Sequence, residues 1–172
     1  MIGVLPDARY SLHQENLLIR PVGGNGTAQA QLRNHLLVRT PRDIRDGRRG
    51  IGSLFVIPLK PGRYELYNVN FQVKAVTMWR RESFSIPFQL EAGKAHYIGD
   101  FRGACADPKR ACSFVHSYQL QRDQALAASQ HPTLPALQPL ALEQFDSAYP
   151  ILLNSESRNL DVLMRLLTVD DQ

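Results

Sequence analysis

Leu59-Lys60-Pro61-Gly62-Arg63-Tyr64-Glu65-Leu66 decides the fold reading of this chain. An apolar run from Leu54 to Leu59 leads into Pro61-Gly62, after which an extended segment restarts at once. Pro followed by Gly is turn chemistry, so the spacing predicts a β-hairpin whose arms are residues 53–59 and 63–73. In the second arm Tyr64 and Leu66 share one face, whereas Tyr67, Val69, Phe71 and Val73 have the opposite parity. A one-residue slip of that kind predicts a β-bulge near Leu66-Tyr67.

Further strands lie on both sides. Phe84, Ile86, Phe88 and Leu90 alternate with Ser83, Ser85, Pro87 and Gln89, the pattern of a half-buried strand that Pro87 confines to an edge or bulge. Ala92-Gly93 turns the chain into Lys94 to Phe101, and Ser113 to Leu120 is the last clear strand. Upstream, residues 9–20 read as one long strand or a strand pair, Gly23-Gly24-Asn25-Gly26 as a turn, and Leu32 to Val38 as the next strand.

The C-terminal third changes character. Gln121 to Gln130 is rich in Ala and Gln, has no β-branched residue and runs into His131-Pro132, which predicts a helix stopped by proline. Residues 132–150 hold four prolines and read as an irregular crossing, with one helical turn near Leu142 to Phe145. Asn154 or Ser155 can cap a final helix carrying Leu160, Leu163, Met164 and Leu167 on one face. That helix is apolar on more than one face, so it must be buried on its own sandwich, a partner or a second copy. The expected fold is mainly β: an antiparallel seven- to eight-stranded β-sandwich with C-terminal helices packed on it. Its expected parts are a sandwich over 1–120 and a helical extension over 121–172 packed on the same domain.

Composition sets outer bounds. A chain of 172 residues can bury a sizeable core. No apolar run is long enough to span a membrane, and the first residues lack the pattern of a signal peptide. Either the protein is cytosolic or a signal has been removed ahead of Met1. Cys105 and Cys112, with six residues between them around an Asp-Pro turn, predict a disulfide-closed loop. Closing it stabilises by roughly 2–3 kcal/mol in the chain-entropy account and favours an oxidising compartment. The alternative is two free thiols in a cytosolic protein. Two thiolates at this spacing lack further ligands, so neither a metal site nor a cofactor is expected.

The strand ending in Leu-x-Pro-Gly-x-Tyr-x-Leu over 54–66, together with Ala-Gly-Lys-x-x-Tyr-Ile-Gly over 91–99, resembles small bacterial cell-envelope proteins. Many of these are lipoproteins of unknown function with a transthyretin-like or carboxypeptidase-regulatory-like β-sandwich. The passage from Val115-His116-Ser117-Tyr118 through Arg122-Asp123 to His131-Pro132 is similar to the way such proteins end. The resemblance covers about residues 54–132. It implies a periplasmic or outer-membrane-anchored protein and brings no catalytic residues. The chain departs from the class in having neither signal nor lipid-attachment cysteine at its start, and in its tail, 133–172.

Several constellations are candidates for a site. If the strands flanking the cysteine loop pair symmetrically, His96 faces position 118 and His116 lies diagonally across on the same face. Two such imidazoles could share a metal or an acidic ligand; otherwise they are half-buried histidines bonded to backbone. Asp100 ends a strand where a carboxylate could act, with Glu65 or Glu82 as a second. Arg39, Arg42, Arg45, Arg48 and Arg49 crowd one loop, 39–50, where guanidinium forks could take phosphates. That loop has no aromatic residue for base stacking, which argues against nucleic acid. The leading functional expectation is a non-enzymatic envelope module for interaction or assembly, facing a protein partner or an anionic envelope surface. The alternatives are a hydrolase or ligand-binding enzyme using His96, Asp100 and His116, and a cytosolic protein binding an anionic partner through the arginine loop.

Overall fold

The structure, a computed structural model, describes residues 1–4, 14–34, 40–45, 50–73, 75–79, 83–107, 111–142 and 152–154. Within them the chain is mainly β. Thirteen strands are present: β1 (Ile2–Val4), β2 (Gln14–Pro21), β3 (Ala28–Arg33), β4 (Ile44–Arg45), β5 (Ile51–Ser53), β6 (Gly62–Val73), β7 (Val76–Trp79), β8 (Ile86–Leu90), β9 (Ala95–Tyr97), β10 (Asp100–Asp107), β11 (Ala111–Ser117), β12 (Leu137–Pro139) and β13 (Leu152–Asn154). One helix, α1 (Leu120–Gln130), stands between β11 and β12.

The strands form two larger sheets and a small one. The first sheet has the order β13-β11-β10-β1-β5-β4. The second has the order β3-β2-β6-β7, with β8 also on β6, and the third is the pair β12-β9. Most pairings are antiparallel, but β1 with β10, β11 with β13 and β9 with β12 are parallel.

The predicted 53–59/63–73 hairpin does not form. β5 ends at Ser53 in the first sheet, β6 begins at Gly62 in the second, and Leu54–Pro61 crosses between them without strand pairing. The physical reason is Pro58, which has no N–H for a ladder. The apolar side chains of the run are used differently: Phe55, Ile57 and Leu59 pack half-buried against the core. Gly62 has φ 153°, a backbone that L side chains rarely adopt, so Pro61-Gly62 serves as the entry to β6 rather than as a hairpin turn. The hairpins of the second sheet are β2–β3, joined through Gly23 to Gly26 and paired from Gln14↔Arg33 to Ile19↔Ala28, and β6–β7, paired from Asn70↔Trp79 to Val73↔Val76.

The bulge is where the parity slip places it. Leu18 faces Asn68 and Ile19 faces Leu66, leaving Tyr67 as the extra residue of β6. Tyr64 and Leu66 are buried before it, and Val69, Phe71 and Val73 after it. Arg20 uses the break: its guanidinium lies 4.4 Å from the Tyr67 ring centre while Nε donates to Glu65 at 2.6 Å. Among the described residues β8 pairs with β6 alone, and Phe84, Ile86 and Phe88 are buried whereas Ser85 and Gln89 are exposed.

The two larger sheets share one hydrophobic core. Leu17, Ile19, Leu66, Val69, Phe71 and Ile86 come from the second sheet; Ile2, Phe101, Cys105, Cys112 and Phe114 come from the first. Phe71 and Phe114 meet across the two sheets with ring centres 4.6 Å apart. Cys105 and Cys112 are directly opposed in the β10–β11 pair, joined by a disulfide and buried. α1 matches the predicted helix closely and ends at His131, whose N–H donates to the Ala127 carbonyl. The predicted turn at 142–145 and the final helix from Ser155 lie outside the described residues, apart from Leu142 itself.

Candidate binding cleft

The Leu54–Leu59 crossing forms one wall of an apolar cleft of about 320 Å³. β9 with Ile98 and Gly99, Ala127 of α1, Leu134 and Leu137 beyond it, and Met1, Ile19, Phe88 and Leu90 make up most of the remaining lining. Ligand sites are mostly concave, apolar and equipped with a few polar groups; here those are Glu91, Lys94 and His96. A second, more open depression of about 460 Å³ adjoins it. Arg63, Gln89, Gln138 and Pro139 line that depression, and Phe88, Glu91 and His96 line both.

Backbone chemistry fixes this corner. Ala92-Gly93 turns the chain between β8 and β9, where Lys94 Nζ meets Glu91 at 2.7 Å. The Lys94 ammonium holds the Glu91 carboxyl below its ordinary range. His96 Nε2 accepts the Glu91 backbone N–H at 2.9 Å. β9 is held on its other flank by β12, with His96 facing Gln138.

Behind the cleft lies an ionic network that locks α1 to the sheets. Asp100 is 2% exposed and accepts from Arg102 Nε at 3.0 Å and Arg122 Nη2 at 2.7 Å. Asp123, fully buried in the first turn of α1, accepts from Arg122 Nε at 2.7 Å and from the Tyr97 hydroxyl at 2.6 Å. The same hydroxyl accepts the Gln119 N–H. Burial, reinforced by the Asp123 carboxylate, pushes the Tyr97 phenol far above its usual range.

His116 does not share a face with His96. The β10–β11 register sets Asp100 opposite Ser117 and Phe101 opposite His116, and at Gly99 the chain leaves that ladder for β9. His116 is buried between the Phe101 and Tyr118 rings, each with its centre 4.8 Å away, and Nε2 bonds the Ile98 carbonyl at 2.9 Å. The proposed constellation is therefore divided: His96 at the cleft, His116 in the core, Asp100 between two arginines. Glu65 is held by Arg20 and Ser85, and Glu82 lies outside the described residues. Among the described residues no three His, Cys, Asp or Glu side chains cluster as metal ligands.

Of the arginine loop, Arg42 and Arg45 can be placed; Arg39, Arg48 and Arg49 lie outside the described residues. Arg42 donates to Asn34, and Arg45 is exposed on β4. Asp43 is structural, accepting from the Leu54 N–H and from Gln130 Nε2, each at 2.8 Å. It joins the start of the cleft wall to the end of α1. No helix among the described residues is long and apolar enough to cross a membrane.

Sequence reasoning missed the core carboxyl of Glu15, which is 1% exposed on β2. Its parity with Leu17 and Ile19 was the available signal. Burial pushes this carboxyl well above its ordinary value of 4.5, against the pull of Arg102 and the Gly103 backbone. Burial lowers His116 from 6.5, against the Ile98 hydrogen bond and Asp100. The signs then follow by linkage. The native state keeps the Glu15 proton longer than the unfolded chain, so stability falls as pH rises above about 4.5, until Glu15 ionises in the fold. The native state resists a proton on His116, so stability also falls as pH drops below about 6.5. The two effects have opposite signs with pH. The Glu15 contribution is the decline in stability as pH rises. In urea titrations at a series of pH values Glu15→Gln should remove that decline; an unchanged profile would place the carboxyl's charge outside the balance.

No protein-family description, curated protein or solved structure matches this chain.

Proposed function

We propose that the protein is a non-enzymatic β-sandwich module of the bacterial cell envelope, and that it acts by taking an apolar anchor of its partner into the cleft walled by residues 54–59. The observation that carries this reading is the cleft itself: a mainly apolar space of about 320 Å³ with Glu91, Lys94 and His96 on one side, its lining also including Tyr97 and Met1, whose ammonium is engaged by the Gly99 carbonyl. The commitments of Asp100 to two arginines and of His116 to a backbone carbonyl favour binding over catalysis. The shared core of the two larger sheets supports a sandwich. The tail from residue 121 fits as an extension of the same domain, since Asp123 bonds Tyr97 of β9. The buried Cys105–Cys112 bridge supports an oxidising compartment such as the periplasm, in line with the resemblance carried by residues 54–66 and 91–99.

The test is a cleft-filling substitution. Leu134 is half-buried on the cleft lining, so Leu134→Trp should occupy the space without entering the core. The folded wild-type protein should enhance the fluorescence of 8-anilinonaphthalene-1-sulfonate, and Leu134→Trp, at unchanged urea midpoint, should lose most of that enhancement. Equal enhancement by both proteins would remove the cleft as the binding surface.

A further inference from the structure

We infer that the ligand of the cleft is an amphipathic anion, a fatty-acyl carboxylate whose chain enters the apolar space and whose head is met by Arg63. This rests on the cleft being the binding surface and adds the ligand's chemistry. The first observation is the juxtaposition of two unlike spaces: the apolar cleft behind Ile57 and Leu134, and the polar depression at Arg63, meet at Phe88, Glu91 and His96. A molecule that fills both must change from apolar to polar along its length. The apolar part holds about ten methylene-sized groups if each takes about 30 Å³.

The second observation is the charge of the polar end. Glu91 is neutralised by Lys94 at 2.7 Å. Arg63 is exposed on β6, and its guanidinium has no ion-pair or hydrogen-bond partner among the described residues. The balance at the polar end is therefore one uncompensated cation, which complements a carboxylate. Guanidinium forks match planar carboxylates in geometry as well as in charge. His96 lies at the junction with Nε2 engaged by the Glu91 backbone, which leaves Arg63 as the group that reads the head.

Calorimetric titration of the full chain with decanoate and with 1-decanol, both below their aggregation limits, tests the inference. Decanoate should bind about three- to ten-fold more tightly than decanol, the range of a charge-assisted contact at an exposed site. Arg63→Ala should erase that difference and leave decanol binding unchanged. Equal affinity of wild-type protein for the two compounds would overturn the carboxylate inference and leave the cleft reading standing. Binding of neither would overturn both. A dimer in sedimentation that decanoate fails to dissociate would assign the cleft to a second copy of the chain and overturn the inference.

Discussion

Gly99→Ala is expected to destabilise the protein by about 4 kcal/mol, the sum of an overpacking and a backbone cost. Gly99 has φ 109°, and a Cβ built on it would lie 2.2 Å from His116 Nε2 and 3.0 Å from the Ser117 carbonyl oxygen. The imidazole has no easy retreat, since Phe101 and Tyr118 flank it and Nε2 holds the Ile98 carbonyl. Gly99 also ends the β10 ladder and starts the turn to β9, so the strain falls on the wall of the cleft. Urea unfolding measures the loss. In a His116→Ala background the clash is gone and only the backbone part, about 1–2 kcal/mol, should remain. A Gly99→Ala cost that is the same in both backgrounds would show that the two residues are not in contact.

Asp100→Asn is expected to cost about 3 kcal/mol, because removing one partner of a buried ionic set leaves uncompensated charge behind. Arg102 would then keep the Ile51 carbonyl as an acceptor, and Arg122 would keep Asp123. Arg122 is partly exposed, with 36% of its side-chain surface accessible, so solvent screens part of the loss and keeps the figure at the low end. The exposed Glu91–Lys94 pair is the control: Lys94→Ala should leave the urea midpoint unchanged within error. Comparable losses from the two substitutions would mean that the Asp100 network does not hold α1 to the sheets.

Local pattern made much of this fold legible. The alternation over Phe84 to Leu90, the parity slip at Tyr67, the Gly23 to Gly26 turn and the helix stopped at His131 all depend on neighbouring residues only. The cysteine pair was legible for the same reason, since its loop is short. Leu54 to Leu59 was misread because an apolar run looks the same whether it sits inside a sheet or lines a cleft. Pro58 was the signal against a ladder position. The split of His96 from His116 was hidden for a different reason. The strand order depends on the parallel pairings of β1 with β10 and β9 with β12, which join residues far apart in sequence and leave no periodic trace. The cleft combines segments from Met1 to Leu137, so only the folded chain displays it. Glu15 was overlooked because a single glutamate on an apolar parity is indistinguishable from an edge residue until its strand is placed in the core.

Residues 54–59, with Leu134 and Leu137, form the surface proposed to receive an apolar ligand. Amide shift mapping of the nitrogen-15-labelled full chain during a 1-decanol titration tests it most directly. Saturable shifts are expected at Phe55, Val56, Ile57 and Leu59, at Ala95 to Ile98, and at Leu134 and Leu137, with Thr77 on β7, a strand that contributes nothing to the lining, unmoved. Shifts that spread without saturation, or that gather on β7 and the arginine loop while the 54–59 amides stay still, would contradict the proposal.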